Sequence, residues 1–199
     1  MDSDYKGFVL PENNINLRSD GYRLIFGREI TADNIRAALD IDYLSYDDIY
    51  HLDLERCIGY HQKNPYIYIM ALDENDNVIG YINFSPVNDK IYEVMRSGTS
   101  VDTIITADDI MEYEAGKAYS VYCSSICVHP DHRNSGVAKL MISGLEALIS
   151  QLDQSDVVIK RMVADAVTDV GFKILLDQGF SYVGMSEHGS KIMEKIRYA

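Results

Sequence analysis

Cysteine is scarce in this chain, and its spacing argues against the structures that cysteine usually supports. Only three cysteines occur among 199 residues, at Cys57, Cys123 and Cys127. An odd number without Cys-x-x-Cys or histidine-rich spacing predicts neither a disulfide framework nor a zinc site, so we expect no metal. Because such a chain suits a reducing compartment, we predict a cytoplasmic protein.

Basic residues are also few. The sequence has 18 Lys and Arg against 31 Asp and Glu, which gives a formal net charge of -13. Binding to nucleic-acid phosphates needs clustered Lys and Arg, and no such cluster occurs, so we expect no nucleic-acid partner. The acidity is compatible with a cationic substrate. It is equally compatible with a charge that serves only solubility.

Long apolar runs are absent as well. No stretch approaches the roughly 20 apolar residues of a spanning helix, and the first residues lack the basic and apolar regions of a secretion signal. We therefore expect neither a membrane protein nor a secreted one. With 47% hydrophobic and 25% charged residues the chain should fold, and its length suits one domain. Turn-forming residues predict an N-terminal arm or loose strand over 1–20 and a single domain over 21–199.

The first half of the domain predicts a strand, two helices and a hairpin. A strand is expected over Tyr22–Ile30, then a helix capped by Thr31, then a second short helix. Two β-rich runs, Tyr66–Leu72 and Val78–Phe84, flank the polar cluster Asp73–Asn77, which suits a turn between antiparallel strands. The residues expected to face inward on the two helices are Ile35, Ala38, Leu39, Tyr43 and Tyr46, then Leu54, Cys57, Ile58 and His61.

The second half predicts alternating strands and helices. Residues 89–96 favour a helix, and Thr106 opens another helical turn. After Gly136 apolar residues recur at helical spacing, which predicts a long amphipathic helix. The other expected elements are strands over Ala118–Val128, Val157–Ala164, Phe180–Met185 and Ile192–Tyr198, and a helix over Thr168–Gln178.

The segment from Val128 to Lys139 lies between a predicted strand and a predicted helix. The first backbone N–H groups of a helix have no partner within the helix and point outward with the positive end of its dipole, so they favour phosphate. Gly136 and Ala138 leave room for an anion at the main chain, and Arg133 has a guanidinium suited to phosphate oxygens. An ordinary strand-to-helix turn is the alternative interpretation.

Arg133-x-x-Gly136-x-Ala138 resembles the Arg/Gln-x-x-Gly-x-Gly/Ala loop that binds the CoA pyrophosphate in GNAT acetyltransferases. The order of elements from Ala118 to Gly184 is similar to that family too, whereas Tyr22 to Phe84 matches only in architecture. A dinucleotide fingerprint or a P-loop does not fit, because the segment has no Gly-x-Gly-x-x-Gly and no Gly-Lys-Ser/Thr.

The resemblance implies an α/β (α+β) fold with a mixed, mostly antiparallel sheet flanked by helices. Two splayed strands would form a cleft for acetyl-CoA, and backbone N–H groups in the cleft would polarise the thioester carbonyl. Thr168 stands where the family often has an Asn, and it caps a helix or touches CoA. The residues implied in CoA binding are Ile126, Cys127, Val128, Arg133, Asn134, Ser135, Gly136, Val137, Ala138 and Thr168.

The catalytic residues of the family are not all present. The frequent Glu eleven residues before the Arg/Gln is Tyr122 here, and the usual acid, a Tyr four residues before a Gly-Phe pair, is Leu175. Tyr122 and Ser124 are the candidate catalytic residues, through an ordered water. Other candidates are Glu112, Glu114 and His188, while the cysteines are expected to be buried and inert.

The implied reaction is transfer of an acetyl group from acetyl-CoA to a primary amine of a small molecule or peptide, by direct attack in a ternary complex. The acceptor would approach opposite CoA, between the helices of residues 43–61, the 87–117 segment and the loop near His188. Their Tyr and acidic residues suit a cationic or aromatic amine. The alternative is a catalytically silent acyl-CoA sensor or interaction module. The oligomeric state is left open, a homodimer included.

Overall fold

The fold is built on one eight-stranded sheet in a computed structural model that describes residues 7–10, 18–19 and 21–198. The strand order is β1-β2-β3-β4-β5-β6-β8-β7, and every neighbouring pair is antiparallel except β5 and β6, which are parallel. This confirms the predicted mixed, mostly antiparallel sheet. The strands are β1 Arg18–Ser19, β2 Tyr22–Phe26, β3 Tyr68–Leu72, β4 Val78–Val87, β5 Lys117–Val128, β6 Val157–Ala166, β7 Ser181–Met185 and β8 Lys191–Ile196.

Within the described residues, five α-helices flank the sheet on its two faces. They are α1 Ala32–Tyr43, α2 Leu54–Lys63, α3 Asp89–Ser97, α4 Val137–Gln154 and α5 Asp169–Asp177. One hydrophobic cluster contains the buried residues of α4 with those of the sheet, and a second contains those of α1, α2 and α3. Successive side chains of β3 point to opposite faces of the sheet and so belong to different clusters. Ile69 and Ala71 lie in the first cluster, and Tyr68, Met70 and Leu72 lie in the second.

Local sequence signals place most element boundaries. The Thr31 side chain accepts a hydrogen bond from the Asn34 backbone N–H, and the Asn34 side chain reciprocates in a capping box that starts α1. At the start of a short 3₁₀ turn, the Thr106 backbone N–H and hydroxyl both donate to the Asp109 carboxylate, at 3.0 and 2.8 Å. The Asp73–Asn77 turn joins β3 and β4 as predicted.

Some expectations about the first helix are wrong. Tyr43 was expected inward, but its side chain is 44% exposed at the last turn of α1, where its hydroxyl donates to the Leu52 carbonyl. Tyr46 lies beyond the helix end, because α1 stops at Tyr43. The strand predicted over Tyr22–Ile30 ends at Phe26, since Gly27 begins a 3₁₀ turn with a φ of 64°.

The predicted N-terminal arm falls largely on residues outside the described range, at 1–6, 11–17 and 20. Two of its residues, Arg18 and Ser19, form β1 and pair with Arg23 and Tyr22. Among the helices described, none combines the length and the apolar character that crossing a membrane requires.

Candidate active site

Strands β5 and β6 run side by side and then separate. Their parallel pairing extends from Lys117 opposite Val157 to Cys123 opposite Ala164. Beyond Cys123, β5 continues for five residues to Val128, still paired with β4 on its other edge. Within the described part of the chain, Ser124 to Val128 therefore have no strand partner on the edge that faces β6, and the predicted gap between these strands is present.

A β-bulge interrupts β5 where the gap opens. The register with β4 shifts between Asn83, which pairs with Ser125, and Ser85, which pairs with Tyr122. The extra residue on β5 changes which side chains face each side of the sheet, so two consecutive residues, Ser124 and Ser125, line the same pocket. Bulges recur beside active sites because they redirect side chains in this way.

The loop after β5 leads into the N-terminus of α4. Gly136 adopts a φ of 88°, and a Cβ placed there would meet no atom within 4 Å, so the main chain is open to a ligand. No side chain in the described part of the chain caps this helix end. Arg133 is exposed, with its Nε 3.4 Å from the Val128 carbonyl oxygen. Exposed residues Asn134 and Ser135 complete the turn, and the Ser135 hydroxyl donates to the His132 carbonyl at 2.5 Å.

The other residues expected at the CoA site lie around the same end of the gap. Ile126 and Val128 are half-buried on β5, whereas Cys127 is buried on the opposite side of the sheet, with its sulfur 3.9 Å from the Ile41 carbonyl oxygen. Val137 packs into the core and Ala138 is half-buried. Any contact of Cys127 or Val137 with CoA would therefore come from the backbone.

Thr168 begins α5. Its side-chain oxygen accepts a hydrogen bond of 3.0 Å from the Gly171 backbone N–H, which confirms the predicted cap. Leu175, the residue at the family's acid position, packs half-buried against the core. An alkyl side chain cannot protonate a thiolate, so the described structure leaves that position without an acid.

The two candidate catalytic residues, Tyr122 and Ser124, line one pocket. Tyr122 is 4% exposed, and burial raises the pKa of its phenol well above the usual value, so it can donate a hydrogen bond but cannot serve as a base. The Ser124 hydroxyl donates to the Asn83 side-chain oxygen at 2.9 Å, as does the Ser85 hydroxyl. Neither residue provides the base that the reaction needs.

The pocket lies on the α1 and α2 face of the sheet and reaches the mouth of the gap. Its empty volume, the open mouth included, is about 580 Å³. A smaller compartment adjoins it, where Asp165 and Val167 contribute from the chain of β6 and the turn after it. The two compartments share six residues, Asp42, Tyr50, Asp102, Tyr122, Ser124 and Ser125.

Asp102 is the carboxyl group that sequence reasoning missed. It is 8% exposed, and within the described structure its Oδ1 has no hydrogen-bond partner. Burial, together with the nearby charges of Asp42 and Asp165, raises the pKa of Asp102 to about 7. A carboxyl group that titrates near neutral pH is well suited to accept a proton from an attacking nucleophile.

Two further carboxyl groups accompany Asp102. Asp42 accepts a short hydrogen bond from the Tyr81 hydroxyl, and burial raises its pKa. Burial also raises the pKa of Asp165, whose Oδ1 has no partner in the described structure. The sequence could have predicted that Asp42 is buried. It follows the inward-facing residues of α1 at helical spacing, which places a carboxylate on the buried face of the helix; those residues are Ile35, Ala38 and Leu39.

The remaining candidates line neither compartment, although the charge of His188 acts on Asp165. Glu112 pairs with Lys63 at 3.1 Å, Glu114 pairs with Lys117 at 2.7 Å, and His188 is exposed. Burial raises the pKa of the Cys57 and Cys123 thiols to about 12. It also raises the pKa of the Cys127 thiol, so none of the three is an activated nucleophile. Across the described residues, no group of three or more His, Cys, Asp or Glu side chains is arranged to hold a metal ion.

Solved structures with the same fold, at low sequence identity, include the following three. The loading GNATL domain of CurA from Lyngbya majuscula has a TM-score of 0.64 at 12% identity, covering 89% of this chain and 98% of that one. The phosphinothricin acetyltransferase Pat of Sinorhizobium meliloti with AcCoA has a TM-score of 0.57 at 17% identity, covering 89% of each chain. The paia N-acetyltransferase of Thermoplasma acidophilum with coenzyme A has a TM-score of 0.53 at 12% identity, covering 88% of this chain and 98% of that one.

At these identities the structural likeness shows the fold alone. The comparison with curated proteins finds no match. The sequence model described as the Acetyltransferase (GNAT) family matches residues 32–159, which include α1, β5, the Arg133 to Ala138 loop and most of the pocket. Because the match extends over more than half of the 199 residues, this chain belongs to the acetyltransferase (GNAT) family.

Proposed function

We propose that this protein is an acetyl-CoA-dependent N-acetyltransferase that acts on a primary amine by direct attack. The observation that carries the proposal is the junction between the β5–β6 gap and a pocket with an unpartnered buried carboxyl, Asp102. Acetyl-CoA as the donor is supported by family membership and by the bound AcCoA and coenzyme A of two structural neighbours.

In this proposal CoA lies along the open edge of β5. The backbone of Ile126, Cys127 and Val128 pairs with the pantetheine arm, and the N-terminus of α4 takes the pyrophosphate. The guanidinium of Arg133 adds a charge-assisted contact, and Asn134, Ser135 and Gly136 shape the turn around the phosphates. Val137 and Ala138 contribute their backbone N–H groups.

The acceptor amine occupies the pocket on the other side of the gap. An alkylamine has a pKa near 10.4, so it must lose a proton before its nitrogen can attack. Asp102 accepts that proton, directly or through a water ordered by Ser124 and Tyr122. The nitrogen then bonds to the thioester carbonyl carbon and the carbon–sulfur bond breaks. The nitrogen gives its second proton to solvent to form the neutral amide, and the CoA thiolate takes a proton from solvent, since Leu175 supplies none.

Leu175 also favours a second candidate, a silent acyl-CoA sensor, because a family member without the usual acid could bind CoA without turnover. The unpartnered carboxyl of Asp102 weighs against it. A pure sensor gains nothing from an acceptor pocket with a buried base, and burying an unpaired carboxyl costs stability.

The first test is the shift in melting temperature that acetyl-CoA produces. A ligand at 100 times its dissociation constant stabilises the native state by about 2.7 kcal/mol. Wild type should show a clear shift, and Arg133→Glu and Ala138→Glu should lose it, because either carboxylate repels the pyrophosphate. The matched control is Arg36→Glu on the exposed face of α1. Wild type without a shift would rule out the CoA site.

The second test is release of free CoA in the presence of an amine mixture. Thiol release that depends on an added amine establishes the transferase. Retained CoA binding with no release for any amine would favour the sensor.

A further inference from the structure

The acceptor pocket has a surplus of negative charge. Asp42 and Asp102 line both of its compartments, and Asp165 lines the smaller one. Among the described residues that line either compartment there is no Lys, Arg or His. The three carboxyl groups thus face a shared space that has no cation in its described lining. The charges of His51 and His188 act on Asp42 and Asp165 from outside that lining.

The unpartnered carboxyl group of Asp102 indicates that these negative charges serve to bind a ligand. Its side chain is more than nine-tenths buried, it lines both compartments, and its Oδ1 has no partner in the described structure. Buried carboxylate oxygens are nearly always hydrogen-bonded, because an unpaired one is costly. A ligand that donates N–H groups would supply the missing partner.

One amine cannot balance this site throughout the reaction. The nitrogen that attacks the thioester must be neutral, so at that moment it contributes no positive charge. The proton that it loses neutralises Asp102, but Asp42 and Asp165 then no longer have an ammonium charge beside them. A second ammonium group on the same acceptor keeps its proton and remains as their counter-charge.

The walls of the pocket suit the part of the acceptor between two such groups. Leu39, Leu52 and Ile105 are among the lining residues and offer apolar contact to a short methylene chain. An acceptor with a carboxylate or phosphate near its amine would instead meet three carboxyl groups and no cation in the described lining.

We propose that the acceptor is an aliphatic diamine or polyamine, with one primary amine that is acetylated and a second ammonium held by Asp42 and Asp165. This rests on the proposed N-acetyltransferase function. It goes further in excluding free amino acids, phosphorylated amines and simple monoamines as preferred acceptors.

The test compares acceptors matched in length. Rates of CoA release are measured with 1,5-diaminopentane, 1-aminopentane, 6-aminohexanoate and a neutral tetrapeptide with a free N-terminus. We expect kcat/KM for the diamine to exceed that for the monoamine at least about tenfold, and 6-aminohexanoate to be the poorest. A monoamine, an amino acid or the tetrapeptide equal to or better than the diamine would overturn the diamine proposal while leaving the transferase standing. No CoA release with any amine would overturn both.

Charge variants give a second readout. Asp42→Asn and Asp165→Asn should each reduce the preference for diamine over monoamine about tenfold, while Glu146→Gln, an equal loss of charge on the exposed face of α4, should leave it unchanged. Calorimetric titration of 1,5-diaminopentane into the CoA complex should show the same order of affinities without turnover. An unchanged preference and affinity in both Asp variants would contradict the assignment.

Discussion

The two sides of the β5–β6 cleft carry their chemistry in different ways. On the α4 side, the groups proposed to hold CoA belong to one continuous stretch, from Ile126 to Ala138, and are main-chain groups apart from the Arg133 guanidinium. On the pocket side, the polar groups are side chains from segments far apart in the chain, with Asp42 on α1, Asp102 at the start of a 3₁₀ turn and Asp165 on β6. A main-chain site depends on local sequence, whereas a side-chain site depends on the topology that assembles it.

The sharpest way to test that contrast is to remove the central carboxyl of the pocket side. Asp102→Asn should lower kcat/KM about 10²- to 10⁴-fold, the usual contribution of a positioned base, with the affinity for acetyl-CoA unchanged. Because the pKa of Asp102 is raised to about 7, wild-type kcat/KM should fall as pH drops below that value. That acid limb should vanish in the variant.

Steady-state kinetics over a pH series checks this, with calorimetry for acetyl-CoA. Glu146→Gln on α4 is the control and should retain the wild-type profile. A full acid limb in Asp102→Asn would assign the base to another group.

The same carboxyl should also affect stability. Its folded pKa lies above its unfolded value, so its stabilising contribution is present at low pH and is lost as pH rises through about 7. The unfolding free energy of wild type should therefore fall relative to that of Asp102→Asn as pH rises from about 5.5 to about 8.5. The expected change in this difference is roughly 2 kcal/mol, because each pKa unit is worth about 1.36 kcal/mol. Urea unfolding of the ligand-free proteins at both pH values measures the change.

Asp89→Asn is the control for that experiment. The hydrogen bond from Ser120 lowers the pKa of Asp89, so its loss should cost the same at both pH values. A gap between Asp102→Asn and wild type that stays constant with pH would mean that Asp102 is not desolvated as the structure indicates.

The contrast also explains what sequence reasoning could reach. Thr31 as a cap, the long helix after Gly136 and the Asp73–Asn77 turn depend on neighbours within a few residues, and each was predicted correctly. The bulge that turns both Ser124 and Ser125 to the pocket arises from the register between β4 and β5, which no local pattern encodes. Asp102 could not be predicted as a site residue for the same reason, since only the fold brings it near Asp42 and Asp165.

A subtler test on the pocket side concerns the two serines bonded to Asn83. Ser124 lines both compartments, whereas Ser85 lines only the larger one. If Ser124 orders the water between amine and base, Ser124→Ala should lower kcat about tenfold, equivalent to about 1.4 kcal/mol. Ser85→Ala removes a similar bond to Asn83 and should change kcat much less.

The two serines are compared by single-turnover rates at saturating acetyl-CoA. Equal losses in both variants would indicate that the bonds only position Asn83. Equal losses would therefore remove Ser124 from the proposed relay.

The smallest expected effect probes the CoA side at Thr168. Its side chain caps α5 through Gly171, so Thr168→Ala should cost about 1 kcal/mol of stability, the usual value for a lost cap. Thr31→Ala removes the comparable cap of α1, far from the CoA loop, and should cost a similar amount. The affinity for acetyl-CoA separates the two roles of Thr168: a reduction in Thr168→Ala beyond that in Thr31→Ala would mean that its hydroxyl contacts CoA. Equal affinities would restrict Thr168 to capping and leave CoA recognition to the Ile126 to Ala138 stretch.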